Sequence, residues 1–372
     1  MKSLLIIILA IVCILGVAAF FVFHGALPPP PVLRKQTDGP AGPPDLTVIT
    51  ALAQSHDGHM LATANDNKTV ALWDTTTGTN VRVLDSSPAE WIFAPAFSPD
   101  GSLLATASYT QLLDASGQLL LWNPTTGERL ATVPNLSWPT RVAFNPAGTL
   151  IAVGGTPTLY LVDPSTKEIT HRVDRAHENG AIQAVEFSPN GDLLATAGRD
   201  GTVKVWQVPE LNLVRTFSVG ESVVPAPPGE GPVRVIVGSV AFAHHRPRLA
   251  ASTTEGTVLV WDLDSGRQIV RYTYDSSGAT EENYMQATVE NSLSFTADDL
   301  WLLTTDLRSN GIRFLGADRK KEAGGLLSIP AQRSMEALNV SPADGSVAFA
   351  YRVFSPGQNA QAKFEIWRPQ PH

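Results

Sequence analysis

The chain has 372 residues, 43% hydrophobic and 17% charged, with a formal charge of −8. That balance excludes a disordered tail and argues against broad nucleic-acid binding, which needs clustered Lys and Arg to neutralise phosphates. A single cysteine, Cys13, excludes an internal disulfide framework and Cys-rich zinc modules.

The first element is the run Leu4 to Phe23, "LLIIILAIVCILGVAAFFVF", which no charge interrupts. As a helix rising about 1.5 Å per residue it spans roughly 30 Å, the hydrocarbon thickness of a bilayer. The run is longer than the apolar core of a usual signal peptide, and no small-x-small cleavage site directly follows it. Residues 1–24 therefore suit an uncleaved signal anchor, a transmembrane helix, better than a cleaved signal. Within it Cys13 reads as a small apolar residue; a lipidated thiol is the alternative, but Val12 stands where processing wants a small residue. Lys2 and the α-amino group sit against the amino-terminal end, while Arg34 and Lys35 stand beyond a gap. The positive-inside rule then predicts a single-pass membrane protein with its amino terminus inside and its body extracytoplasmic.

Residues 25–44 form a Pro-rich linker. Pro28 to Pro31 favour the extended polyproline conformation and make a short stiff spacer. From residue 45 to 372 one phrase recurs. "AFSPDGSLLATAS" at 96–108 returns as "EFSPNGDLLATAG" at 186–198 and, eroded, as "QSHDGHMLATA" at 54–64. Aligned on it, the chain divides into seven units. Each holds a strand, a tight turn, a small apolar strand, a polar turn, a strand ending near tryptophan, and a short closing strand. Turns such as Ser98–Gly101 have a cause, because proline presets φ and glycine accepts positive φ. The turn decays to "AHHR" at Ala243–Arg246 and "TADD" at Thr296–Asp299. The small second strands suit a sheet buried on both faces. Trp73, Trp122, Trp206, Trp261 and Trp367 fill the wider gap farther from the axis, as core. Four short strands per unit of about 40 residues or more predict an all-β, seven-bladed β-propeller of four-stranded antiparallel blades.

The stretch 176–207, "AHENGAIQAVEFSPNGDLLATAGRDGTVKVWQ", resembles the WD-repeat family of β-propellers. The resemblance implies a hydrogen-bonded structural set of His177, Thr196, Asp200 and Trp206. Val162 and Leu315 depart from the pattern where tryptophan is usual. The last unit stops too soon after Trp367 to build its own fourth strand. "PVLRKQ" at 31–36 is expected to complete that blade and close the ring, which matches the closure known in the family. Because the anchor enters this strand at its start, the face bearing the Asp-type turns is expected to lie toward the bilayer.

Insertions mark the opposite face: 109–117, 352–362, 220–232 and 275–291. Insertions gathered on one face of a repeat protein suit a binding face. Its candidate partner-binding residues are Tyr109, Leu112, Leu113, Asp114, Tyr274, Glu281, Glu282 and Tyr284. The expected function is a non-catalytic, membrane-anchored scaffold that binds a protein or peptide partner there and the lipid bilayer through residues 4–23. Nucleic acid is not an expected partner, and no catalytic, cofactor or metal motif stands out. The alternative is a propeller enzyme or small-molecule sensor with its site at the central channel mouth.

Overall fold

The second strand of each repeat is too apolar to face water on either side, so it must be covered by a sheet on each face. The computed structural model describes residues 32–38, 49–65, 67–85, 90–110, 116–178, 180–220, 235–273, 293–306, 311–318, 322–328, 333–341, 345–353 and 361–369. The expected membrane helix at 4–23 lies outside them. Among the described residues no helix is long and apolar enough to cross a membrane.

The described residues form 28 strands in seven four-stranded antiparallel sheets. β1 (Leu33–Asp38) comes first and belongs to the last blade. Blade one is β2 (Ile49–Gln54), β3 (Met60–Asn65), β4 (Thr69–Asp74) and β5 (Asn80–Asp85). Blade two is β6 (Glu90–Phe97), β7 (Leu104–Thr110), β8 (Ser116–Trp122) and β9 (Arg129–Ser137). Blade three is β10 (Arg141–Phe144), β11 (Ile151–Gly154), β12 (Leu159–Val162) and β13 (Ile169–Val173). Blade four is β14 (Ile182–Phe187), β15 (Leu193–Gly198), β16 (Thr202–Gln207) and β17 (Asn212–Ser218). Blade five is β18 (Val237–Phe242), β19 (Arg248–Thr253), β20 (Thr257–Asp262) and β21 (Gln268–Thr273). Blade six is β22 (Leu293–Phe295), β23 (Trp301–Asp306), β24 (Gly311–Gly316) and β25 (Glu322–Ser328). Blade seven is β26 (Arg333–Val340), β27 (Val347–Val353), β28 (Gln361–Pro369) and β1. First strands lie against one another in turn, from β2 round to β26 and back to β2.

Closure uses the amino-terminal strand. β1 pairs with β28 in the register Leu33↔Pro369, Arg34↔Arg368 and Lys35↔Trp367, with a bulge before Thr37↔Ile366. The core closes at the same seam. Trp73 and Leu61 of blade one pack on Ala348, Ala350, Phe364 and Ile366 of blade seven. The Trp73 and Phe364 rings meet edge to face at 5.0 Å. Each such buried large side chain contributes about 1.5–3 kcal/mol.

The same packing recurs around the ring. Trp122 faces blade one, Trp206 faces blade three and Trp261 faces blade four. Trp73, Trp122 and Trp206 each donate the indole N–H to a second-strand threonine, Thr63, Thr106 and Thr196, at 3.1, 2.9 and 2.9 Å. A register shift stands beside each of these three tryptophans, and beside Trp261, where it pairs with the fourth strand. Trp261 has Ala251, not threonine, at the corresponding place and stacks on Phe217 at 4.8 Å. Val162 and Leu315 fill the slot with aliphatic side chains.

The decayed turns keep their geometry by another route. In "SPDG" the Ser98 hydroxyl accepts from the Leu103 N–H and Gly101 takes φ +71°. In "TADD" Thr296 Oγ1 accepts from the Trp301 N–H, and Asp299 stands in the glycine place at φ 57°. Aspartate tolerates that conformation better than most residues. The buried Asp299 carboxylate also accepts the backbone N–H groups of His244 and His245 at 2.7 and 2.6 Å, and faces His244 Nδ1 at 3.1 Å. The degenerate "AHHR" turn of blade five thus finds its acceptor in blade six. Arg246 and Arg248 reach Asp318 across the same seam.

Candidate interaction face

Strand alternation puts the second-to-third turns and the blade-to-blade links on one face, here the connection face. The first-to-second and third-to-fourth turns occupy the other, the turn face. On the turn face Asp74, Asp163 and Asp262 accept N–H groups of their own turns. Hydrogen bonds from Thr77, Ser165 and Ser265 hold these carboxyls below the usual carboxylate range. Arg82 and Arg215 each reach a carbonyl in the third-to-fourth turn of the next blade, Thr125 and Asp264. These contacts are internal clasps.

The connection face is different at blade two. Trp91 and Phe93, two apart on β6, point the same way because strand side chains alternate. Tyr109 stands directly opposite Trp91 on β7. Trp138 follows β9, in the link to blade three. The four rings form a row: Trp91 and Phe93 centroids are 6.3 Å apart, Phe93 and Tyr109 5.0 Å, and Tyr109 and Trp138 5.0 Å. The first two pairs are stacked and the last is tilted. Lys68, in the second-to-third turn of blade one, lies over the Trp91 ring at 5.1 Å. Trp138 is 40% exposed, and Trp91, Phe93 and Tyr109 are half-buried. Burial pushes the Tyr109 phenol above its ordinary value.

The backbone is shaped to hold this row. β6 carries a bulge between Phe93 and Ala96, with Ala94 at φ 43°. β9 carries another where it pairs with Gly117 and Leu119, with Asn135 at φ 66°. Trp138 itself has φ 41°. Left-handed backbone at a bulky residue costs of order 1–3 kcal/mol and persists only where its surroundings enforce it. Here they do. Ser137 accepts from and donates to Thr156, and its N–H reaches the Tyr160 hydroxyl at 3.0 Å. The Pro139 ring lies so close on Gly117 that a Cβ there would overlap it. The aromatic row therefore stands on fixed supports from blades two and three.

Of the expected partner-binding residues, Tyr109 lies within the row. Leu112, Leu113, Asp114, Tyr274, Glu281, Glu282 and Tyr284 lie outside the described residues. Trp91, Phe93, Trp138 and Lys68 were not anticipated. The signal was the "WIF" alternation before an "SPDG" turn and a tryptophan ahead of proline in a link.

Farther round the same face, His177 Nδ1 lies 2.9 Å from Asp200 Oδ1, and His177 Nε2 2.8 Å from Thr196 Oγ1. With Trp206 donating to Thr196, a chain of hydrogen bonds runs from the third strand to the turn. Asp200 also accepts the Glu178 and Thr202 N–H groups. Burial works to raise the Asp200 carboxyl, but His177 and Thr202 outweigh it and bring it down to about 2. All four residues are enclosed, so this set fastens the blade and offers no surface to a ligand.

The channel wall carries edge caps. Asn339 Oδ1 of blade seven accepts the Gln54 N–H of blade one, and Glu186 of blade four accepts the Phe242 N–H of blade five, at 3.2 and 3.1 Å. Both acceptors are the penultimate residue of a first strand, and both donors the last. Glu186 is half-buried as a residue yet its carboxyl is surrounded by protein, and desolvation pushes it up to about 8. Near the opposite end of the first strands, the Arg141 guanidinium of blade three donates to the Gln183 carbonyl of blade four.

The seven four-stranded sheets, with their first strands meeting round the ring, define a seven-bladed β-propeller. Residues 42–74 and 169–207 match the WD domain, G-beta repeat. The chain is similar to a serine-threonine kinase receptor-associated protein of Gallus gallus, 30% identical over 176 residues, 47% of this chain and 46% of that protein. It is similar also to WD repeat-containing protein VIP3 of Arabidopsis thaliana, 26% identical over 181 residues, 48% of this chain and 54% of the relative. Small ribosomal subunit protein RACK1y of Oryza sativa subsp. japonica is 33% identical over 87 residues, 23% of this chain and 21% of its own. The chain spans about half the length, or less, of these curated relatives.

Proposed function

We propose that this protein is a non-catalytic interaction scaffold, held to a membrane by residues 4–23, with its propeller on the extracytoplasmic side. A protein or peptide partner docks on the connection face, centred on blade two. The observation that carries the reading is the row Trp91, Phe93, Tyr109 and Trp138, part-exposed and standing on strained but braced backbone. Rigid aromatic rings at a surface are the usual anchors of protein recognition. The printed names of relatives fit, since one is receptor-associated and another is a ribosomal subunit protein.

The test is site-specific photocrosslinking in intact membranes, with the photoreactive residue at position 138 or, on the turn face, at position 76. A discrete protein adduct from 138 and none from 76 is the expected result. Adducts from 76 alone, or from neither, contradict the reading. A chain recovered in the soluble fraction contradicts the anchor.

One observation favours a second reading, a small-molecule sensor at the channel: the Glu186 carboxyl, raised to about 8. It faces a backbone N–H of the neighbouring blade, which gives it a structural task already. A ligand whose binding depends on Glu186 would favour the sensor.

A further inference from the structure

Three Asn-x-Ser/Thr triplets stand in the sequence, at Asn67, Asn135 and Asn339. Such a triplet, with no proline in the middle, is the acceptor of an N-linked glycan on an exported chain. A glycan is bulky and hydrated, so a folded protein carries one only where the asparagine amide meets open solvent. The structure separates the three triplets on that ground.

Asn339 is half-buried in the channel wall, and its amide oxygen accepts the Gln54 N–H of blade one at 3.2 Å. A glycan there would hold blades seven and one apart. Asn67 is half-buried in the second-to-third turn of blade one, where its amide oxygen accepts the Thr69 N–H and hydroxyl at 3.3 and 2.7 Å. Asn135 differs. It is exposed, and its side-chain amide has no hydrogen-bond partner among the described residues. It lies on β9, the outermost strand of blade two. Pairing there passes from Leu119↔Val133 to Gly117↔Leu136, so Pro134 and Asn135 together stand opposite Gln118 alone. A bulge of this kind leaves its extra residue unpaired, and Asn135 takes φ 66°, which asparagine tolerates.

Ser137 supplies the hydroxyl of this triplet. In the folded chain it donates to the Thr156 carbonyl at 2.8 Å. Thr156 follows 19 residues later, so the hydroxyl is free while the triplet emerges from synthesis. The setting also gives a glycan a task. β9 has nine residues, the longest of the seven fourth strands, and Leu130 on it is 46% exposed. Long exposed edges invite pairing with other chains, and proline and bulges blunt them. A glycan beside Pro134 extends that protection.

Resting on the extracytoplasmic reading above, we infer that Asn135 is an N-glycosylation site, filled during export and carried on the outer rim of blade two. The donor is an oligosaccharide linked to a polyisoprenyl diphosphate. Asn135 Nδ2 bonds to the anomeric carbon, and the bond from that carbon to the diphosphate oxygen breaks. The nitrogen gives up one proton, the lipid diphosphate leaves, and nothing is oxidised or reduced.

The test expresses the full chain in cells that make N-linked glycans and purifies the folded protein from their membranes. Peptide mass spectrometry, with and without glycosidase release in heavy-oxygen water, reads each triplet. The expected result is a glycan at Asn135, none at Asn67 or Asn339, and loss of all glycan in Asn135→Asp, which the left-handed backbone tolerates. Circular dichroism checks that each variant folds. Thr77→Asn, which completes an Asn-Gly-Thr triplet at an exposed site on the turn face, reports whether the propeller reaches the glycosylating side. Asn135 bare while the Thr77→Asn triplet is filled overturns the inference and leaves the extracytoplasmic reading standing. If both are bare, both fall. Occupancy at Asn67 or Asn339 equal to that at Asn135 also overturns the inference.

Discussion

Lys35 Nζ lies 3.1 Å from Glu365 Oε1, joining residues 330 positions apart at the seam where the ring closes. Glu365 is a buried carboxylate that also accepts from the Tyr351 hydroxyl at 2.9 Å and the Trp367 indole at 3.0 Å. Burial works against its charge, but the donors Trp367, Tyr351 and Lys35 hold it below the usual carboxylate range. Trp367 bonds to this glutamate because Phe349 occupies the place where earlier blades offer threonine.

Removing Glu365 takes a shared acceptor from the buried Tyr351 hydroxyl and the half-buried Trp367 indole, whereas removing Lys35, whose side chain is 39% exposed, takes away only one partly solvated cation. Glu365→Ala is expected to cost about 2–4 kcal/mol and Lys35→Ala under about 1 kcal/mol. Urea denaturation followed by tryptophan fluorescence measures both. Equal costs would mean that the seam does not depend on this carboxylate.

Asp200 gives a pH dependence. Its carboxyl is depressed from 3.8 to about 2 in the fold, so it stabilises the folded state above the unfolded value and that contribution fades as pH falls from about 4 to 2. The loss is about 1–2 kcal/mol after solvent screening. In Asp200→Asn the slope over that window flattens, which melting curves at stepped pH detect.

The Thr196 hydroxyl stands between Trp206 and His177. Thr196→Val keeps the shape and orphans a buried indole and an imidazole, so a cost of about 1–3 kcal/mol is expected. Gly198→Ala is expected to be at least as harmful, because a Cβ there overlaps the His177 ring. Thermal melting orders the two variants.

Asp299 joins blade five to blade six through His244 and His245. Asp299→Ala loses both acceptors and puts a Cβ residue without side-chain compensation at φ 57°. The expected outcome is a loss of about 2–4 kcal/mol, with faster hydrogen exchange concentrated in the amides of 243–246. Asp299→Asn, which keeps an acceptor and tolerates the backbone, is expected to lose less.

Much of this fold was legible because its causes are local. "SPDG", "LLATA" and "TVKVW" each state a turn or a buried strand, and their spacing states the blade. The closing strand was legible from a deficit, since too few residues follow Trp367. The clamp at Asp299 was not, because "AHHR" and "TADD" look merely degenerate until their blades are side by side. The aromatic row was only partly legible, through Tyr109. Trp91, Phe93, Tyr109 and Trp138 come from three separate segments, and the bulges that aim them leave no signature in a hydrophobic pattern. Lys68 belongs to another blade altogether.

The central claim is that the rings of blade two hold the partner. Its most direct test is quantitative partner capture from intact membranes by the wild-type chain and by Trp91→Ser/Trp138→Asn, with melting temperature measured in parallel. The account predicts at least about a tenfold loss of captured partner with the melting temperature nearly unchanged. Undiminished capture by a folded double variant would contradict it.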